Sequence, residues 1–535
     1  MGHAVSWTGW LVVGVVLASC GVRGASPAPP LPMGSTERPA EGEADRGSEE
    51  TLPSLPGMAE ESGTTPSGSA SVVSAFAPAA RAELQIGSVQ RTAWIFDRPS
   101  KQGRQIGYLR EGTAAPLASP EPVQGVGCPG GWYGLVPTGY VCLDRTTTLD
   151  LRSPRFLALA EAAPRNEEVL PYRYAFSKGA PMYNRIPTPE EQQKVEGPPE
   201  KRKEPPPLSR FLSGHEELAM TEGIQATDEV PEGWKEGAPV GAPRELVRKW
   251  IPHGSMLAFH AAFQAQGRVW LLSPDMTVVP ADRMKPFRVS TFRGVKLEGD
   301  AKLPLAWSRH DPVQKYRKEA DGVVATEERW PPRTAIPLTG ERVEQGGKVY
   351  LVTQEEGILA REDQVVVASA REKDKMPASM EAGQRWIDVH IRAGTLTAYV
   401  GERPVFTTLV SPGAGGYGAA SESNAALVKR SATPLGVYRV TWKTRAAVMS
   451  PEDDDPKKFW IADVPHTLYF RPPFAIHTAY WHEDFGMPKS AGCINVSPED
   501  GRFLYDWTDP PTPPGWQGSG PGKGMGLGTL LVIAP

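Results

Sequence analysis

The chain is poor in several things that would have fixed its class at once. Cysteine occurs four times in 535 residues, too rarely for a disulfide-built scaffold, so each one must be explained singly. Positive charge is not in excess: 58 Lys and Arg face 62 Asp and Glu, a net charge of −4. That gives no field for a polyanion, and no nucleic-acid partner is expected. Metal-ligand patterns are missing too. His215-Glu216-Glu217-Leu218-Ala219 opens like a metalloprotease helix but lacks the second His one turn on. His253 and His260 have no Cys or carboxylate at ligand spacing. Asp453-Asp454-Asp455 reads as a solvated loop before Pro456, and no Gly-rich stretch carries the Lys and Ser/Thr of a phosphate loop. Neither a metal nor a cofactor is expected. The apolar run at residues 4–19 falls short of the about 20 residues that span a bilayer, but it suits the h-region of a secretory signal, residues 1–20.

Glycine and proline, by contrast, are abundant at 55 each, which predicts long linkers and turn-rich β structure. The 40% hydrophobic and 22% charged residues suffice for packed cores. At roughly 100–200 residues per domain, about three to five domains follow.

Leu17-Ala18-Ser19-Cys20 resembles the bacterial lipobox, and the resemblance implies a lipid on Cys20 that anchors the chain to a membrane. Gly21, where Asp would favour the inner membrane, points to the outer one. The leader Met1-Gly2-His3 departs from the pattern in having no Lys or Arg. An ordinary cleaved signal or an uncleaved anchor are the alternatives, and all three export the chain. Residues 21–82 are rich in Pro, Gly, Ser, Ala and Glu and almost free of aromatics, so they cannot offset their ordering entropy and read as a disordered tether. Export changes how cysteines read. Cys128 and Cys142 bracket a Gly- and Pro-containing return and suit a local disulfide, with two buried thiols as the alternative. That leaves Cys493 without a partner, which in an exported protein marks a reactive thiol.

Folded sequence begins near residue 83. Through residue 150, short β-prone runs alternate with turn clusters, and the segment resembles a bacterial Src-homology-three-type (SH3-like) barrel. Two later stretches echo each other. Gly267-Arg268-Val269-Trp270-Leu271-Leu272-Ser273 lies over Gly347-Lys348-Val349-Tyr350-Leu351-Val352-Thr353, with Val278-Val279 falling on Ile358-Leu359 in the same register. Two more barrel-like units are expected at residues 170–290 and 300–370. The charged, Pro-rich run 187–207 is then either a loop insertion in the second unit or a linker. From about residue 384, Ile387, Val389 and Ile391 alternate with Asp388, His390 and Arg392, the period of a half-buried strand. Turns at Ala393-Gly394 and Gly401-Glu402 complete an opening β-meander. Near the C-terminus, residues 518–528 have turn composition before a final strand.

Chemistry concentrates in residues 474–500. An apolar run delivers His477 at a strand end, a polar Gly-containing loop follows, and Ser490-Ala491-Gly492-Cys493 approaches the next element tightly. Ser497-Pro498-Glu499-Asp500 reads as a capping box opening a helix with Phe503, Leu504 and Trp507 on its apolar face. A Cys thiol of pKa about 8.5 is a weak nucleophile until a neighbouring imidazole takes its proton. Gly492 lets backbone N–H groups approach an incoming carbonyl, and each such donor is worth about 3–4 kcal/mol to a tetrahedral oxyanion. His477 is the expected base, with His482, beside Glu483 and Asp484 in the loop, as its competitor. The thiol should then sit beside the imidazole at the mouth of an accessible groove.

This segment resembles the catalytic motif of bacterial L,D-transpeptidases. His477, Gly486, Ser490, Gly492 and Cys493 match it, and Trp386-Ile387-Asp388-Val389, Ser411-Pro412-Gly413 and Thr433-Pro434-Leu435-Gly436-Val437-Tyr438 look like the family's upstream elements. The resemblance covers about residues 384–535. It implies a mainly β architecture, small SH3-like barrels followed by a β-sandwich-like catalytic domain with short helices. It further implies Cys493 as nucleophile, His477 as base, Thr478 orienting the imidazole through its carbonyl, and Gly492 and Cys493 N–H groups as oxyanion hole. Asn495 matches an Asn of one branch of the family, Trp481 stands where relatives have an aromatic cleft wall, and Ser490 and His482 join these around the substrate. Thr478 and Ala491 depart from the family's usual Gly and His. The implied reaction is acyl transfer on peptidoglycan stem peptides, to a second stem, a D-amino acid, an outer-membrane protein's Lys or water.

Overall fold

The computed structural model describes residues 21–22, 84–198, 218–238, 242–377, 380–381, 383–450 and 461–535. The signal with Cys20, residues 215–217 and residues 453–455 lie outside the described residues. Of the stretch read as a tether, only Gly21–Val22 is described. It pairs antiparallel with Met449 and Ser450, along a strand edge whose other end is already taken by Gly518–Ser519.

The fold is mainly β, in several sheets with few short helices. In the first group of strands, Ile86, Ile95, Ile106, Leu109 and Val141 pack a small core. Cys128 and Cys142 form a disulfide beside it. The core is not closed by its own segment. Trp516 and Met525 are part of it, and the Gln105–Leu109 strand pairs antiparallel with Gly518–Ser519. A Cβ at Gly107 would stand 2.3 Å from the Trp516 ring, so glycine is the residue that admits the indole. Met525, inside the stretch read as plain turn composition, and Trp516 just before it therefore fill another unit's core.

The echoed segments form equivalent hairpins. Arg268–Leu272 pairs with Val278–Pro280, and Lys348–Thr353 with Ile358–Arg361. A 3-10 turn and a short strand follow each, at Ala281–Arg283 and Met284–Pro286, and at Glu362–Gln364 and Val366–Ala368. The registers differ by one residue: Leu271 faces Val279, whereas Leu351 faces Ala360. The charged run is not a plain loop. Pro189–Glu196 is a helix with a full capping box between Thr188 and Glu191. Its last residue is buried, where Glu196 meets Arg268 at 2.8 Å, Arg283 at 2.6 Å and the Tyr183 hydroxyl at 2.7 Å. Ala180–Tyr183 and Val247–Ile251, on either side of this run in sequence, pair with each other.

The meander is present: Arg385–His390, Thr395–Val400 and Arg403–Leu409 pair in sequence order, and the final strand Leu530–Ala534 joins parallel to the first. The first strand, expected to be half-buried, is covered on both faces. Asp388 is buried because Arg371 reaches it at 2.7 Å, and Met376 and Met380 cover Trp386 and Tyr399. Behind the meander, the long Ile461–Arg471 strand pairs with Trp442–Ser450 on one side and Phe474–Thr478 on the other, and Phe474–Thr478 pairs parallel with Ile494–Val496. Strand alternation gives these elements two faces. Leu468, Phe470, Phe474, Ile476, Ile494 and Val496 enter the largest core of the C-terminal region. Tyr469, Ala475, His477 and Asn495 stand on the other face.

Candidate active site

The parallel pairing of Ile476 with Ile494 and of His477 with Asn495 sets the geometry. Cys493, one residue before the ladder, falls on the face of His477 and Asn495 and packs against Tyr469, Ala475 and Trp442. Three segments hold it there. Ser411 exchanges both backbone hydrogen bonds with Asn495 at 2.9 Å, Ala414 N–H donates to Ser490 O at 2.8 Å, and Thr433 Oγ1 accepts from Gly413 N–H at 2.9 Å. Gly492 has φ of +120°, and a Cβ there would lie 2.9 Å from Ala432 O. Only glycine allows the chain through this gap.

His477 Nδ1 lies 3.1 Å from Thr478 O. That carbonyl fixes Nδ1–H, so Nε2 is the nitrogen left to accept a proton. Burial lowers the imidazole pKa to about 4, opposed in part by the same carbonyl, and the ring is neutral at neutral pH. The Thr478 hydroxyl in turn lies 3.2 Å from His466 Nδ1. A Cβ on Gly501 would come within 2.0 Å of it, so the helix glycine makes room for the threonine. His466, buried and at φ of +51°, gave no sequence signal, being a lone His in an apolar run.

His482 is differently placed. Its Nδ1 accepts from Asp484 N–H at 3.2 Å, and Nε2 lies 2.9 Å from the Asn495 amide. Both nitrogens are engaged, and the Asn495 atom facing Nε2 is Nδ2; because a neutral ring accepting at Nδ1 carries its proton on Nε2, the pair becomes a hydrogen bond when the amide is turned to present its oxygen. Whichever way that amide is turned, one of its buried polar atoms has no partner among the described residues. Burial first, then the Lys489 and His477 charges, hold the His482 pKa well below the usual range. Trp481 lies against His477, ring centroids 5.8 Å apart. Ser490 braces the turn, its hydroxyl donating to Cys493 O at 2.5 Å and accepting from Gly492 N–H at 3.0 Å. The Gly492 donor expected for an oxyanion is thus occupied in this state.

Two expectations about Cys493 are overturned. It is fully buried, not at the mouth of an open groove. Nor is it unpartnered: it is disulfide-bonded, with the other half of the bond outside the described residues. The expectation of a lone thiol rested on Cys20 being taken by a lipid. The loop between His477 and Cys493 is gripped by the upstream units. Tyr174 stacks on Tyr480 at 3.9 Å and Phe292 on Phe485 at 5.5 Å. Arg288 meets Glu483 at 2.6 Å and Arg333 at 3.1 Å. Against the cost of burial, the two guanidinium groups hold the Glu483 carboxylate below its ordinary pKa. Nothing local in the sequence marks these arginines. Asp500 departs from a simple capping box: the Ser497 hydroxyl accepts from Asp500 N–H at 3.2 Å, while the Asp500 carboxylate accepts from Gly294 N–H at 2.7 Å and Thr408 Oγ1 at 2.5 Å. Burial raises its pKa to about 6.

Residues 384–526 match the family model of YkuD, the L,D-transpeptidase catalytic domain. Among solved structures, an L,D-transpeptidase from Xylanimonas cellulosilytica is similar at 21% identity and a TM-score of 0.20, covering 30% of this chain, and this chain spans 64% of that one. An L,D-transpeptidase from Mycobacterium smegmatis is similar at 17% identity and a TM-score of 0.21, with 42% and 78% covered. The catalytic domain of an E. faecium L,D-transpeptidase is similar at 18% identity and a TM-score of 0.21, with 29% and 100% covered. No curated protein matches the chain.

Proposed function

We propose that the chain is an exported peptidoglycan L,D-transpeptidase acting through a Cys493 thioester. The observation that carries this reading is the placement of Cys493, His477 and Asn495 on the same, non-core face of one parallel strand pair, inside the segment that matches the L,D-transpeptidase catalytic domain. Once its sulfur is a thiol, Cys493 gives its proton to His477 Nε2 and attacks the carbonyl between the L-centre of a diamino acid and a terminal D-alanine. The C–N bond breaks, D-alanine leaves with the proton from His477, and a thioester remains. An acceptor amine then attacks the thioester, passes a proton to His477 and releases the thiol. The imidazole is neutral and so able to accept this proton, while its burial opposes the charge it then carries. Ser490 must release Gly492 N–H if that donor is to stabilise the oxyanion. Lipidation of Cys20 would withdraw that sulfur from any disulfide and leave Cys493 a thiol; with the upstream SH3-like units reaching into the wall, it completes this reading of an outer-membrane-anchored enzyme.

The burial and disulfide of Cys493 favour a second reading, an inert wall-binding protein. Intact-mass measurement of the reduced full-length chain after a carbapenem pulse separates the two. An adduct on the wild type and none on Cys493→Ala is expected; no adduct on either, with the thiol demonstrably reduced, sinks the enzyme reading. Products from purified disaccharide-tetrapeptides then name the acceptor, since dimers mean transfer and tripeptides mean hydrolysis.

A further inference from the structure

Across the strands that carry the site, Trp442 faces Tyr469 and Tyr469 faces Ala475, whose side chain touches Cys493. Outward from Cys493 the row continues into the first unit: Tyr108 stacks over Trp442 with ring centroids 6.4 Å apart, and Trp94 meets the same indole edge-on at 6.0 Å. The other phenol of this row, Tyr108, pairs its hydroxyl with Thr444 at 2.7 Å. Tyr469 differs. Its side chain is 95% buried or more by exposure of 5%, and its phenol oxygen has no hydrogen-bond partner among the described residues. A buried hydroxyl left unpaired costs free energy that phenylalanine at the same place would not incur. A phenol next to the candidate nucleophile is therefore retained against stability.

We infer that Tyr469 is a substrate-contacting residue, its O–H donating to a carbonyl oxygen of the acyl-donor peptide laid along the Trp442 side of Cys493. The inference rests on the transpeptidase reading and deepens it by assigning the donor a direction: it lies over the aromatic row toward the first unit, away from the loop that carries Trp481 and His482. The hydroxyl forms no covalent bond and transfers no proton. It fixes the carbonyl that the thiolate is to attack, or its neighbour along the stem.

The test compares wild type, Tyr469→Phe and Cys493→Ala as full-length reduced proteins. Expected for Tyr469→Phe is an unchanged or higher melting temperature, unchanged alkylation of Cys493 by iodoacetamide, and a fall of roughly ten-fold or more in kcat/KM on disaccharide-tetrapeptide, the scale of one lost buried hydrogen bond. Wild-type turnover in Tyr469→Phe overturns the inference and leaves the transpeptidase reading standing. Alkylation that falls in step with turnover also overturns it, because the residue would then act on the thiol and not on the substrate. A wild type that neither turns over tetrapeptide nor forms a carbapenem adduct overturns both.

Discussion

The two faces of the strands around Phe474–Thr478 are built to different rules. One presents Phe474, Ile476, Ile494 and Val496 to a continuous apolar core. The other, a single residue away along each strand, holds an imidazole, a sulfur, an amide and a phenol, two of them with unpaired polar atoms. Adjacent positions in one strand thus serve opposite ends: the first stores stability, the second gives some of it up by burying polar atoms that have no partner among the described residues.

Substitutions on the two faces should separate these ends most widely. His477→Gln is expected to slow carbapenem acylation of reduced protein by roughly 10²–10⁴-fold, the usual share of a general base, with little change in the urea midpoint. Phe474→Ala is expected to cost about 3–5 kcal/mol of stability and to act on acylation only through folding. Equal effects on both measurements for both variants would break the division. Next in size, Glu483→Gln removes the charge that two upstream arginines share. A loss of about 1–3 kcal/mol in urea unfolding is expected, together with slower acylation, because the loop between His477 and Cys493 is then held less firmly; unaltered acylation would place the ion pairs outside the site's support.

Acid sharpens the contrast further. His477, lowered to about 4, is neutral in the fold but takes a proton near pH 6.5 when unfolded, as a free imidazole of pKa about 6.5 does. Between those values the unfolded chain binds more protons, so its contribution to stability is full above pH 6.5 and is lost as pH falls toward 4. Asp500, raised to about 6, acts with the opposite sign. The folded chain keeps its proton from pH 6 down to about 3.8, the ordinary carboxyl value, so stability rises as pH falls through that window. Urea midpoints from pH 7 to 4 should therefore drop more steeply in Asp500→Asn than in wild type; parallel curves would mean that Asp500 is not buried with its proton. Acylation itself should persist to near pH 4. The smallest effect lies outside both faces: Thr188→Ala opens the capping box of the Pro189–Glu196 helix and is expected to cost about 1 kcal/mol, seen as local hydrogen exchange in that helix with acylation unchanged.

What was legible in the sequence follows the same division. Period-two alternation and turn residues are local, so the meander, the echoed hairpins and the strand ending at His477 could be read directly. The spacing of His477 and Cys493 could be read for a related reason, since a parallel strand pair needs only the chain between them. Contacts between distant segments could not. Arg288 and Arg333 look like any surface arginines until a fold brings Glu483 between them, and Trp516 sits among glycines that announce a turn. The state of Cys493 was misread because its partner was assigned to another chemistry.

That tryptophan has a consequence for how the protein is made. The first β unit to leave the ribosome lacks part of its own interior until residues near 516–525 arrive, so its strands must wait, incomplete, through synthesis of everything between. Trimming the last twenty or so residues would then be felt first at the opposite end of the polypeptide, as proteolysis around Gln105–Leu109, and only afterwards at the terminus that was cut.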